Sequence, residues 1–211
     1  MAWKRRSGRL GELAEGLVKA GALQFGTFTL PDGGYSSYYV DLRGLASYPG
    51  AYGMAVEALS ELVSKKAPRA DALCAVPVTG LLFASPMAVA LGKPMVYTRL
   101  GKHENERLVE GEVRPGWNVV VVDEITTSGR TILAAADAVE DEGGKVTSAV
   151  VLVDRLEGAR EKLSKRGITL HAATDILELA DLLHSMELIT DENMKAITQS
   201  VGKKQPPRRR S

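Results

Sequence analysis

The residues best suited to chemistry in this 211-residue chain stand in one run, VVVVDEITTSGRT, at 119–131. Two adjacent carboxylates, Asp123 and Glu124, lead into small and hydroxyl-bearing residues, Thr126-Thr127-Ser128-Gly129-Arg130-Thr131. A loop of this kind that opens a helix offers free backbone N–H groups, hydroxyl donors and the positive end of the helix dipole, a combination that suits a dianionic phosphate. The acids come just before the loop and suit sugar hydroxyls or a divalent cation. A plainer reading has Asp123 ending a strand and Ser128 or Thr131 capping a helix. Other phosphate and metal signatures are missing: the sequence holds no GxxxxGK[ST], no GxGxxG and no HExxH, and its three histidines are scattered.

The surrounding pattern shows what must position these residues. Short apolar runs at 72–76, 94–98, 118–123 and 146–153 alternate with helical segments, LLFASPMAVALG and TILAAADAVEDEGG. Continuous apolar strands separated by amphipathic helices predict an α/β fold with a central, mainly parallel sheet flanked by helices and buried on both faces. Ligands of such sheets bind beyond the carboxyl ends of the strands, where the 123–131 run falls. Upstream, Leu10, Leu13, Leu17 and Val18 share one helical face. Residues 25–43 read as an irregular hairpin around Pro31-Asp32-Gly33-Gly34. A helix is expected over about 50–66. A weaker strand at 168–173 and helices near 175–187 and 191–200 complete the body.

Composition bounds the rest. Apolar residues make up 45% and charged residues 25%, ordinary for a chain that buries a core. No stretch reaches the roughly 18 apolar residues of a membrane span, and no apolar segment follows the basic start, so a cytoplasmic protein is expected. Cys74 is the sole cysteine and reads as a small buried hydrophobe. Of the 27 basic residues, nine lie in 1–9 and 203–211 without an acid among them; the other 18 face 26 acids, leaving the body at about −8. The expected organisation is a basic N-terminal extension (1–9), a single domain (10–202) and a basic disordered tail (203–211). Ends of that composition give nonspecific, salt-sensitive attraction to nucleic acid rather than sequence recognition. His171 and His184 are expected to be structural, and Trp117 to be packing.

The run 119–131 closely resembles the phosphoribosyl-pyrophosphate motif of the type I phosphoribosyltransferases. Three further segments, FTLPDGGYSSYYVDLR, AVPVTG (75–80) and VDRLEGA (153–159), resemble the orotate phosphoribosyltransferases of that family, in the same order along the chain. The resemblance implies a type I phosphoribosyltransferase-like fold with a small N-terminal hood, largely 10–45. It implies that Asp123 and Glu124 hold the ribose hydroxyls. Thr127, Ser128, Gly129, Arg130 and Thr131 would cradle the 5-phosphate. Val78, Thr79 and Gly80 would approach pyrophosphate, and Arg99 would neutralise its oxygens. Tyr38 and Tyr39 would lie along the orotate ring, with Arg155 on its carboxylate. Lys102 and His103 would be the loop's catalytic residues, although RLGKHENERLVEG (99–111) departs from the family's RKxxKxHG: Leu100 replaces a lysine, and both residues align only through shifts. Pro31 likewise replaces a lysine of the early segment.

The activity implied is transfer of phosphoribose from phosphoribosyl pyrophosphate to orotate, giving orotidine 5-monophosphate and pyrophosphate on the route to UMP. Mg²⁺ held mainly by substrate, without a dedicated protein cluster, and a homodimer are implied as well. The rivals are a purine phosphoribosyltransferase, which the FTLPDGGYSSYY and VDRLEG segments oppose, and a phosphoribosyl-pyrophosphate-sensing regulator that binds nucleic acid through its basic ends.

Overall fold

The computed structural model describes residues 2–29, 35–99, 101 and 107–204, with side chains described over 11–201 of these. The chain forms two compact units: Met1–Met54, Arg155–Glu157 and Thr174–Ser211 make the first, Ala55–Asp154 and Gly158–Ala173 the second.

The second unit is built on a six-stranded sheet. Its strands are β3 (Ala72–Ala75), β4 (Met95–Thr98), β5 (Val109–Glu110), β6 (Asn118–Thr126), β7 (Lys145–Asp154) and β8 (Thr169–Asp175), in the order β5-β4-β3-β6-β7-β8. β3 pairs in parallel with both β4 and β6, and β6 with β7, while β5 pairs antiparallel to β4. The runs that became β3 and β6 are buried on both faces, all of β3 and Val119–Val122 being inaccessible to solvent, whereas β4 alternates half-buried and buried residues. The helices α3 (Thr79–Leu91) and α4 (Arg130–Asp141) pack on these strands. Ile132, Ala135, Ala136 and Val139 of α4 join Val119, Val121, Ala149 and Val151 in one apolar cluster. Each such valine contributes about 1.5–3 kcal/mol through burial. Sequence periodicity had not shown β5, because two residues carry no pattern.

The order of strands matters for function. The connection from β3 through α3 leads outward to β4, whereas the connection from β6 through α4 leads the other way, to β7. The direction of winding therefore reverses between β3 and β6, and a crevice opens at their carboxyl ends.

In the first unit, β1 (Leu23–Thr29) and β2 (Tyr35–Val40) form the antiparallel hairpin expected from its aromatic and β-branched residues, with a register irregularity between Phe25 and Phe28. α1 (Ala2–Lys19) packs on α6 (Ile176–Ser185), and α7 (Asp191–Lys204) packs on α6 and β2. Asp175 caps α6, accepting from the backbone N–H groups of Leu177 and Glu178. This unit draws on more chain than the 10–45 stretch expected as the hood. Its helix α1 also reaches back through the stretch expected as an extension, since lysine and arginine propagate a helix well once the apolar stripe downstream is packed. At the other end α7 runs through Lys204, and residues 205–211 lie outside the described residues. α2 (Pro49–Lys66) and β8 each contribute to both units.

Candidate active site

At the carboxyl end of β6, Asp123 is 5% exposed and both of its oxygens are engaged. The backbone N–H of Glu124 donates to Oδ1 at 3.0 Å, and the hydroxyl of Thr131 donates to Oδ2 at 3.1 Å. Burial pushes this carboxyl well above the usual carboxylate range, and the neighbouring Glu124 carboxyl pushes it further; the two donated hydrogen bonds pull the other way. The pair is thus electrostatically strained in isolation, as suits groups that meet donors or a cation from a ligand.

The loop after β6 ends at Gly129, the residue before α4, with φ of +74° and no side chain to cap the helix. A Cβ there would only reach contact with Ala159 and Leu163 at 3.4 Å, so it is the backbone angle that calls for glycine. The first-turn amides of α4 therefore lack a side-chain cap and point at a position where an anion gains from the helix dipole. Beside it, the loop after β3 leads into α3, whose N-terminal flank, Val78, is likewise without a side-chain cap. Val76 donates its N–H to the Val122 carbonyl at 3.0 Å, tying this loop to β6. Val78 is 62% exposed, while Thr79 and Gly80 are buried. Two helix starts thus flank the reversal in winding, a frame for one ligand with two anionic groups.

In the first unit, Arg155 is buried with its guanidinium carbon 4.7 Å over the ring of Tyr38, which is fully buried. Its Nη2 stands 3.0 Å from Glu157 Oε1. Leu156 between them adopts φ of +58°, a left-handed conformation costly for a branched residue and typical of constrained sites.

Residues 50–182 match the family described as Phosphoribosyl transferase domain. The chain is 38% identical over 185 residues to orotate phosphoribosyltransferase of Cenarchaeum symbiosum, covering 86% of this chain and 92% of that one. The chain belongs to the orotate phosphoribosyltransferase family. The crystal structure of orotate phosphoribosyltransferase from Aeropyrum pernix superposes with a TM-score of 0.75 at 34% identity, over 84% of this chain and 99% of that one. A Mycobacterium tuberculosis orotate phosphoribosyltransferase solved with 5-phospho-alpha-D-ribosyl 1-diphosphate matches with a TM-score of 0.65 at 26% identity, over 81% of this chain and 98% of that one.

For this phosphoribosyltransferase the structure brings together Asp123, Glu124, Thr127, Ser128, Gly129, Arg130 and Thr131 around the β6–α4 turn, and Val78, Thr79 and Gly80 around the β3–α3 turn. The hydroxyl of Thr131, expected in the phosphate cradle, donates to Asp123. Arg99, just after β4, is engaged by Glu110 of β5 at 3.1 Å. Tyr38 and Tyr39 do not share a face: strand alternation places Tyr38 under Arg155 and stacks Tyr39 on Phe28 at 5.5 Å. Lys102 and His103 lie outside the described residues. Sequence reasoning passed over Glu110 and Glu157, the carboxylates paired with Arg99 and Arg155. The signal for Glu157 was its place two residues after Arg155; Glu110 needed the β4–β5 pairing.

No group of three or more histidines, cysteines or acids among the described residues is arranged to hold a metal ion. The donor set is instead two adjacent carboxylates, one of them destabilised by burial. It fits a hard cation that takes most of its oxygen ligands from a bound polyphosphate. A cavity of about 500 Å³ lined by Ser85, Ala88, Val89, Gly92, Lys93 and Met95 contains none of the expected site residues.

Proposed function

We propose that this protein transfers the 5-phosphoribosyl group of phosphoribosyl pyrophosphate to orotate, forming orotidine 5-monophosphate and pyrophosphate in UMP synthesis. The observation that carries this reading is the buried Asp123 carboxylate set against the uncapped start of α4 at the reversal of strand winding. The amides of that helix start, with the hydroxyls of Thr127 and Ser128, hold the 5-phosphate. Asp123 and Glu124 accept hydrogen bonds from the ribose hydroxyls. The turn at Val78, Thr79 and Gly80 meets pyrophosphate, and Arg99 exchanges Glu110 for pyrophosphate oxygens.

Bond breaking at the anomeric carbon leaves positive charge on the ribose ring and builds negative charge on pyrophosphate. Rate comes from stabilising both together. Asp123 and Glu124 are placed for the first, Arg99 and the α3 start for the second. Mg²⁺ would be met by Asp123 and Glu124 together with substrate oxygens, supplying charge neutralisation to the leaving group. Arg155 presents a planar two-pronged donor to the orotate carboxylate, with Tyr38 against its other side. Lys102 and His103 are assigned to neutralising and protonating the leaving group.

We place the protein in the cytoplasm; no helix among the described residues is long and apolar enough to cross a membrane. We further propose a homodimer, supported by the outward face of α3, where Val89 is 85% exposed. The deciding assay mixes pure protein, orotate, phosphoribosyl pyrophosphate and Mg²⁺ and follows loss of the orotate ultraviolet band. Turnover dependent on all three establishes the activity; turnover with a purine base instead overturns it.

A further inference from the structure

We propose that Glu157 is a specificity-determining residue: its carboxylate holds the place at Arg155 that the carboxylate of orotate takes, so the acceptor binds by exchanging one anion for another. The inference rests on the orotate role given to Arg155 above. Both side chains are buried, 6% and 10% exposed, and they belong with Tyr38 to the first unit. A guanidinium cannot shed its proton, so burial at this depth demands an anion beside it. The chain supplies one from two residues away. Leu156 between them is held at φ of +58° and Gly158 follows at +96°, a tight reversal in which the two side chains meet.

The pairing is close in charge and poor in alignment. Nη2 of Arg155 stands 3.0 Å from Glu157 Oε1, yet neither Nη2 nor Nε of the arginine makes a hydrogen bond, and both atoms are shut off from solvent. Buried donors left in that state cost free energy, which a better-placed acceptor recovers. A planar carboxylate set squarely against the guanidinium fork is such an acceptor. The Tyr38 ring covers one face of the guanidinium at 4.7 Å, so an incoming carboxylate meets the edge. Glu157 and the ligand therefore compete for the same cation. A pyrimidine without a carboxylate brings no charge to the exchange and leaves the internal pair closed.

The test measures, by calorimetry, binding of orotidine 5-monophosphate and uridine 5-monophosphate, which differ only in the carboxylate. The proteins are the wild type, Glu157→Gln and the Arg155→Met/Glu157→Gln double variant. Glutamine keeps the shape of glutamate without its charge, so Arg155 stands unbalanced until a ligand anion arrives. Glu157→Gln should therefore bind orotidine 5-monophosphate about threefold to tenfold more tightly, with uridine 5-monophosphate within about twofold of the wild type. Its Tm should fall without ligand and rise more than that of the wild type on adding orotidine 5-monophosphate. The double variant leaves neither charge of the pair behind and should bind the two nucleotides alike. Glu157→Asp, which keeps the charge and draws it back by one methylene, should shift the affinity ratio in the same direction and gives a second reading should glutamine prevent folding. Weaker binding of orotidine 5-monophosphate by Glu157→Gln makes Glu157 a mere support for Arg155 and overturns the proposal, as does an equal change for both nucleotides or none. Absence of orotate turnover by the wild-type protein overturns the function proposed above, whereas the change in affinity ratio on removing the Glu157 charge decides this assignment.

Discussion

A Cβ placed on Gly80 would stand 2.7 Å from the carbonyl oxygen of Val122, a backbone atom of the strand that carries Asp123. The start of α3 and the end of β6 meet with no room for a side chain. Gly80→Ala must therefore push the β3–α3 turn off β6, an overpacking cost of about 1–3 kcal/mol. The expected outcome is a lower Tm together with a raised KM for phosphoribosyl pyrophosphate, read by thermal melt and steady-state kinetics. A variant with both values intact would show that the turn is free to shift.

Asp123→Asn should lower kcat by about an order of magnitude or more, because the ribose loses a charged acceptor where positive charge develops. Burial already disfavours the carboxylate at this position, so removing its charge offsets the loss of one of its two acceptor oxygens. Unfolding should occur near the wild-type temperature. Near-normal turnover would withdraw the ribose role.

Arg155→Lys keeps the charge and loses the planar fork, so the KM for orotate should rise far more than the KM for phosphoribosyl pyrophosphate. The larger truncation, Arg155→Ala, removes the cation that stands 3.0 Å from the mostly buried Glu157 carboxylate, and about 3 kcal/mol of stability should go with it. Should lysine raise the two KM values equally, orotate is recognised elsewhere.

His171 supplies the expected pH dependence of stability. Burial lowers its pKa below the ordinary value, and the positive charges of Lys66 and Arg160 lower it further. The unfolded chain then binds a proton more readily than the folded one, so stability is complete above the ordinary histidine pKa and declines as pH falls through and below it. His171→Gln should flatten the part of the Tm-against-pH curve between about pH 7 and 5 that this group causes. An unchanged curve would assign that decline to other groups.

Cys74 lies fully buried in β3, and burial pushes its thiol up to about 12. It should resist a thiol reagent in the folded protein and react on unfolding, at a rate that follows denaturant. Rapid labelling at neutral pH without denaturant would contradict the burial of β3.

The local chemistry was legible in the residues themselves. Apolar runs at 72–76, 118–123 and 146–153 read as buried strands because they are short and alternate with amphipathic helical segments. Asp123, Glu124 and the hydroxyl-rich turn behind them offered, by type and spacing, groups suited to a phosphate and to sugar hydroxyls, and the φ of +74° at Gly129 is one that glycine takes without strain. What the chain order could not contain was partnership across distance. That Thr131 donates to Asp123, that Glu110 holds Arg99, and that Arg155 lies over Tyr38 and not over both adjacent tyrosines are consequences of strand pairing and helix placement. Local sequence determines which groups are available and which backbone angles they tolerate. Only packing decides which lone pair faces which proton, since hydrogen bonds depend on tenths of an ångström between residues that the chain keeps far apart.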